Sequence, residues 1–107
     1  MNITVEFDDK SYALDVPETL VNEARDFFEK LDRDMNCGWQ MSRWWVPDPD
    51  QNQRCQIVAD KLLTAMQANN SEFVLLMCAY ILNRKPTTRR IRINTDGEIQ
   101  GNEFLDD

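Results

Sequence analysis

Ten consecutive apolar residues, Phe73 to Leu82, stand in the second half of a chain of 107 residues. The run is about half as long as a bilayer-spanning helix requires, so it predicts a buried helix of a globular protein. Ser71 is a suitable N-cap before the run, and Pro86 stops the helix after it. A helix over 71–84 that is apolar on every side must be covered on every side. We therefore expect it in the middle of the core or at a subunit interface.

The other periodic segments predict a small sheet and two further helices. Alternation of apolar and polar residues is typical of half-buried strands, and apolar residues three and four apart are typical of helices. The predicted elements are a β-hairpin over 2–16, helices over 17–35 and from about Asp50 to the polar break at Asn69, and a third strand over 90–94. With the helix over 71–84, the order is ββαααβ. This order predicts one α+β domain over 1–107 with the helices packed on one face of a small sheet.

Two features of this fold stay open at the level of sequence. Either strand of the hairpin has an edge that can receive the third strand. Residues 98–107 are predicted to be an acidic tail, and its order depends on whether its apolar residues dock on the domain: Ile99, Phe104 and Leu105.

The composition excludes most catalytic chemistry. The chain has no histidine and three glycines, which excludes Ser-His-Asp and Cys-His catalysis, histidine metal sites and glycine-rich phosphate loops. The cysteines, Cys37, Cys55 and Cys78, are odd in number and lack C-x-x-C spacing, so they indicate a reduced protein rather than a disulfide framework or a zinc site. We expect a soluble cytoplasmic protein with no enzymatic activity, no cofactor, no metal and no membrane segment.

The charge is unevenly distributed along the chain. The net charge is −7, which disfavours nonspecific binding to nucleic acid. Residues 1–50 carry twelve acidic and five basic side chains, whereas residues 51–95 carry two acidic and seven basic ones. The third strand places Arg90 and Arg92 on one face, next to Arg89. These arginines are candidates either for contact with phosphates or for pairing with Glu6 on a neighbouring strand, with the acidic tail or with a second copy.

All three tryptophans lie between residues 36 and 50, where helical periodicity stops. Trp39, Trp44 and Trp45, with Arg43 among them, fit a small-ligand pocket or a protein interface, because tryptophan and arginine are enriched at binding hot spots. They also fit a connection folded over the helices with its rings inward. The sequence leaves these three interpretations open.

Together these features predict a non-enzymatic protein-interaction module that forms a homodimer. The reasons are the all-apolar helix, the charge segregation and the missing catalytic residues. The alternative is a small-ligand or nucleic-acid-binding domain that uses the tryptophan-rich segment 39–45 and the basic strand 89–92.

Overall fold

The computed structural model describes residues 1–106 and has the predicted α+β architecture. The hairpin, the helices and the C-terminal strand of the predicted order are all present. In chain order the elements are β1 (Asn2–Phe7), β2 (Lys10–Asp15), α1 (Glu18–Glu23), α2 (Arg25–Asn36), β3 (Trp39–Met41), β4 (Trp44–Val46), α3 (Gln51–Gln67), α4 (Ser71–Arg84), β5 (Arg90–Arg92), a 3₁₀ turn (Ile99–Gly101) and β6 (Glu103–Leu105).

The main sheet has four strands in the order β2-β1-β5-β6. The first hairpin is antiparallel, β5 joins β1 in parallel, and β6 pairs antiparallel with β5. The third predicted strand therefore joins β1 and leaves β2 at one edge. Ile3, Val5 and Ile91 share the face that packs on the helices and are at most 2% exposed.

The turn between β1 and β2 is formed without glycine. Asp8 and Asp9 both have positive φ angles, 52° and 61°, between the paired residues Phe7 and Lys10. Two central residues with positive φ are the mark of a type I′ turn, whose twist matches that of the strands. Aspartate tolerates this region better than most residues, so the turn forms with some backbone strain.

The helix predicted over 17–35 is two helices. The chain leaves helical geometry at Ala24 (ψ 38°), which separates α1 from α2. Alanine is a strong helix former, so no local signal marks this break. The cap of α4 also differs from the prediction: the side chain of Asn70, not Ser71, accepts a hydrogen bond from the Phe73 backbone N–H.

The segment predicted as an acidic tail forms the fourth strand through residue 105. Two buried amides hold it in place. Asn102 accepts from the Asn94 backbone N–H at 2.8 Å and donates to the Gln56 carbonyl at 2.9 Å, while Gln56 donates back to the Asn102 carbonyl. The apolar side chains of Ile99 and Phe104 dock on the domain and pack against the core.

The apolar helix α4 lies at the centre of the core. It packs on α3 and α1, and most of its run is fully buried by the same chain: Val74, Met77, Cys78, Ala79, Tyr80, Ile81 and Leu82. Leu75 and Leu76 are half-buried, and Phe73 at the start of the helix is the most exposed residue of the run, at 44%. Most of the covering that we expected for this helix is therefore supplied within one chain.

Candidate functional site

The tryptophan-rich segment folds into a separate two-stranded ribbon, which we call the tryptophan hairpin (residues 39–46). In β3 and β4, Trp39 pairs with Val46, Gln40 with Trp45, and Met41 with Trp44. The two-residue turn places Ser42 at a φ of 58° and leaves Arg43 exposed at the tip. The sequence showed no strand signal here, because three-residue strands are too short to display alternation.

Two side chains of β3 attach the tryptophan hairpin to the domain, Trp39 at its base and Met41 next to its turn. Met41 is completely buried in the core. Trp39 is half-buried, and the Lys61 ammonium lies 4.7 Å from its ring centroid. A cation over a tryptophan face contributes ~0.5–1 kcal/mol at a partly exposed position.

The turn of the hairpin is also fixed, by Ser42. Its hydroxyl donates to the Gly97 carbonyl at 2.7 Å and accepts from the Ile99 backbone N–H at 2.8 Å. These residues belong to the segment that leads into β6. The hairpin is thus held at both its base and its tip.

Gly38 sets the position of Trp45. Its φ of +100° is one that side chains rarely adopt, and a Cβ built there would lie 2.5 Å from Cζ2 of Trp45. The indole ring therefore occupies the space that any larger residue at position 38 would need. The sequence suggested Gly38 as a helix end, but its contact with Trp45 required the structure.

Trp44 and Trp45 remain exposed, with 63% and 59% of their surfaces accessible. Because Trp45 pairs with Gln40 and Trp44 with Met41, the two rings are on opposite faces of the ribbon. The tryptophan-rich segment is therefore not a connection with all its rings inward. Only Trp39 packs against the core in this way.

The predicted basic strand lies on the four-stranded sheet, separate from the tryptophan hairpin. Arg90 Nη1 lies 2.9 Å from Glu6 Oε2, and Arg92 Nε lies 3.5 Å from Glu6 Oε1. This is the cross-strand pairing with Glu6 that the sequence offered as an alternative to phosphate contact. Arg89 is exposed, and its backbone joins β1 to β6 by accepting from Thr4 and donating to the Leu105 carbonyl.

The outer face of this sheet carries no stacking platform. The register places ten side chains there, none of them aromatic: Asn2, Thr4, Glu6, Ser11, Ala13, Asp15, Arg90, Arg92, Glu103 and Leu105. Recognition of unpaired bases depends on such platforms. The tryptophans and the arginines of the alternative hypothesis lie in two different sheets.

A polar cluster that the sequence did not reveal joins three helices around Asp32. The Tyr80 hydroxyl donates to Oδ1 at 2.6 Å and Arg84 Nη2 donates to Oδ2 at 2.7 Å. Arg54 Nη1 lies 3.4 Å from Oδ1 and the Arg54 Nε donates to the Pro49 carbonyl. The cluster borders a cleft of about 370 Å³.

Electrostatics favours the ionised form of Asp32. Burial acts to raise the pKa of its carboxyl group, but the hydrogen bonds from Tyr80, Arg84 and Arg54 and the charge of Arg84 together hold that pKa below its ordinary value. Burial, assisted by the Asp32 charge, raises the pKa of Tyr80. Within residues 1–106, every buried side-chain nitrogen and oxygen has a hydrogen-bond partner. The cluster is thus internally satisfied and joins α2, α3 and α4.

Two of the three cysteines are buried, and one is exposed. Burial raises the pKa of the Cys55 thiol to about 11 and that of Cys78 to about 12, so both stay protonated at neutral pH. Cys37 is exposed beside the tryptophan hairpin. The described part of the chain contains no group of three or more histidine, cysteine or acidic side chains placed to bind a metal ion.

Across residues 1–106, no helix combines the length and apolar character needed to cross a bilayer. Comparison of the chain with protein-family models, curated proteins and solved structures finds no match.

Proposed function

We propose that this protein is a cytoplasmic, non-enzymatic protein-interaction module that forms a homodimer and binds a partner protein through the tryptophan hairpin. The exposure of Trp44 and Trp45 on a ribbon fixed at both ends carries this proposal. The lack of histidine and the protonated buried thiols support the non-enzymatic part.

Two exposed tryptophan side chains on one short ribbon are typical of a surface that binds a partner. A tryptophan ring buries ~150–250 Å² in an interface, and tryptophan is among the residues most enriched at hot spots. Met41 and Ser42 already hold the ribbon in one position, so binding orders few additional groups.

The geometry of the hairpin favours a concave partner surface. Because Trp44 and Trp45 lie on opposite faces of the ribbon, a flat surface can cover only one of them. A cleft with apolar walls covers both. An acidic group in that cleft would complement Arg43 at the exposed tip.

Nucleic acid or a small ligand receives less support. Arg90 and Arg92 both have Glu6 as a partner, and the chain carries a net charge of −7. A cleft of about 510 Å³ lies over Thr4, Ala13 and Arg90 on the outer sheet face, away from the tryptophan hairpin.

The test is quantitative binding to a partner identified by photo-crosslinking from position 43. With the purified partner, Trp44→Ala and Trp45→Ala should each weaken the dissociation constant at least ~30-fold, the effect of a hot-spot residue worth about 2 kcal/mol. Phe73→Ala, which removes an exposed aromatic ring elsewhere, is the matched control and should leave affinity unchanged. Equal affinity of wild type and the double tryptophan variant would refute the role of the hairpin.

A further inference from the structure

One edge of the main sheet is long and regular. β2 is a terminal strand of the order β2-β1-β5-β6 and has six residues, whereas β6 at the opposite edge has three. Lys10–Asp15 contains no proline, glycine or bulge that would prevent another strand from adding to it.

The backbone groups that face this edge can be assigned from the hydrogen bonds of β1. Thr4 donates to Arg89, so even-numbered residues of β1 face β5 and odd-numbered ones face β2. The pairing of Val16 with Met1 follows the same alternation. Since Val5 pairs with Tyr12, the even-numbered residues of β2 face β1. The N–H and C=O groups of Ser11, Ala13 and Asp15 therefore face outward.

We propose that a second copy of this chain adds to this edge, antiparallel, about a two-fold axis at Ala13. The inference rests on the proposed homodimer and assigns its interface. In this register Ala13 pairs with the partner's Ala13, and Ser11 with the partner's Asp15. Every outward N–H and C=O of these three residues finds a backbone partner, so the two sheets become one.

The side chains fit the same register. On the helix face, half-buried Tyr12 lies opposite the partner's Leu14, which extends the apolar layer across the axis. On the outer face, the Ser11 hydroxyl lies opposite the partner's Asp15 carboxylate. Lys10 lies opposite the partner's Val16 in this register, and within Lys10–Asp15 no two like charges lie directly opposite each other.

A neighbouring register is less favourable. Centring the axis on Tyr12 also preserves the faces of the sheet, but it places Asp9 directly opposite the partner's Asp15. Like charges directly opposite each other are destabilising. When the axis lies at Ala13, a second copy therefore matches the edge in backbone polarity and in apolar side chains, and it avoids like charges directly opposite each other.

Charge placed on the axis tests the proposal. Ala13 is exposed on the outer face, so Ala13→Lys and Ala13→Glu should both fold. Each puts like charges opposite each other in the homodimer and should weaken dimerisation at least tenfold. An equimolar mixture should restore dimers as the mixed species, resolved by mass in native mass spectrometry. Gln67→Lys and Gln67→Glu, at an exposed position of α3, are the matched controls and should dimerise like wild type.

A second measurement needs no substitution. On raising the concentration of wild type, amide exchange at Ser11, Ala13 and Asp15 should slow at least tenfold. A wild-type dimer that the Ala13 variants leave unchanged would overturn the assigned edge and leave the homodimer standing. If the wild-type protein stays monomeric at concentrations up to about 100 µM, both the homodimer and its interface at the β2 edge are overturned.

Discussion

Removal of the Tyr80 hydroxyl tests the energetic role of the Asp32 cluster. Tyr80 is 1% exposed, and its ring packs edge-on against Phe28 with centroids 5.7 Å apart. Tyr80→Phe keeps that packing and removes only the hydroxyl that donates to Asp32 at 2.6 Å. The substitution therefore isolates one hydrogen bond between α4 and α2.

The expected loss of stability follows from the type of hydrogen bond that the substitution removes. A hydrogen bond to a charged group contributes ~1.5–3 kcal/mol to stability. Asp32 keeps Arg84 and Arg54 as partners in the variant, so its charge is not left uncompensated. We expect a decrease of about 2 kcal/mol in the free energy of unfolding. For a domain of this size that corresponds to a melting temperature lower by about 8 °C.

Urea unfolding, monitored by circular dichroism, measures this decrease in the free energy of unfolding. Tyr12→Phe, in which a half-buried ring stacked on Phe7 keeps its packing, is the control and should change stability by less than ~0.5 kcal/mol. In a double-mutant cycle with Asp32→Asn, the two losses should be non-additive by at least ~1 kcal/mol. A Tyr80→Phe variant as stable as the Tyr12→Phe control would refute the reasoning.

Three further predictions concern the turn, the hairpin and acid stability. Asp9→Gly should raise the free energy of unfolding by ~0.5–1 kcal/mol in urea titrations, because glycine adopts the positive φ of 61° without strain; unchanged or lower stability would contradict this. Gly38→Ala should lower stability by ~1–2 kcal/mol and shift tryptophan emission, because its φ of +100° disfavours alanine and the new Cβ displaces Trp45; an unaltered spectrum would show that the ring does not move. Because folding lowers the pKa of Asp32, its ionised carboxylate should contribute fully to stability above pH 3.8, the ordinary pKa of the group, and this contribution should be lost as the pH falls below that value. The difference in the free energy of unfolding between wild type and Asp32→Asn, measured from pH 7 to 3, should therefore shrink only at the acid end.

The parts of the fold that were predictable are those with long periodic patterns. The helix over 71–84 matches α4 in both bounds because its apolar run is uninterrupted and Pro86 follows it. The first hairpin was predictable from its alternation, although the strand order was not. Which edge receives β5 depends on packing between residues far apart in sequence.

The candidate site was only partly predictable, for two physical reasons. The tryptophans were identified by residue type, but β3, β4 and β6 have three residues each and show no periodicity. The Asp32 cluster joins residues 48 and 52 positions apart, and nothing local to Asp32 distinguishes it from a solvated charge on the same helix. The break at Ala24 lies in a residue that itself favours helix.

The parallel pairing of β1 with β5 has a consequence for synthesis of the chain on the ribosome. The ion pair between Glu6 and Arg90 joins residues 84 positions apart. At roughly 5–20 residues per second, β1 waits several seconds for its central partner to be made. During that time the edge of β1 that faces away from β2 stays open. β5 covers this edge and β6 then pairs with β5, so the sheet is completed only after the helices between β1 and β5 have been synthesised.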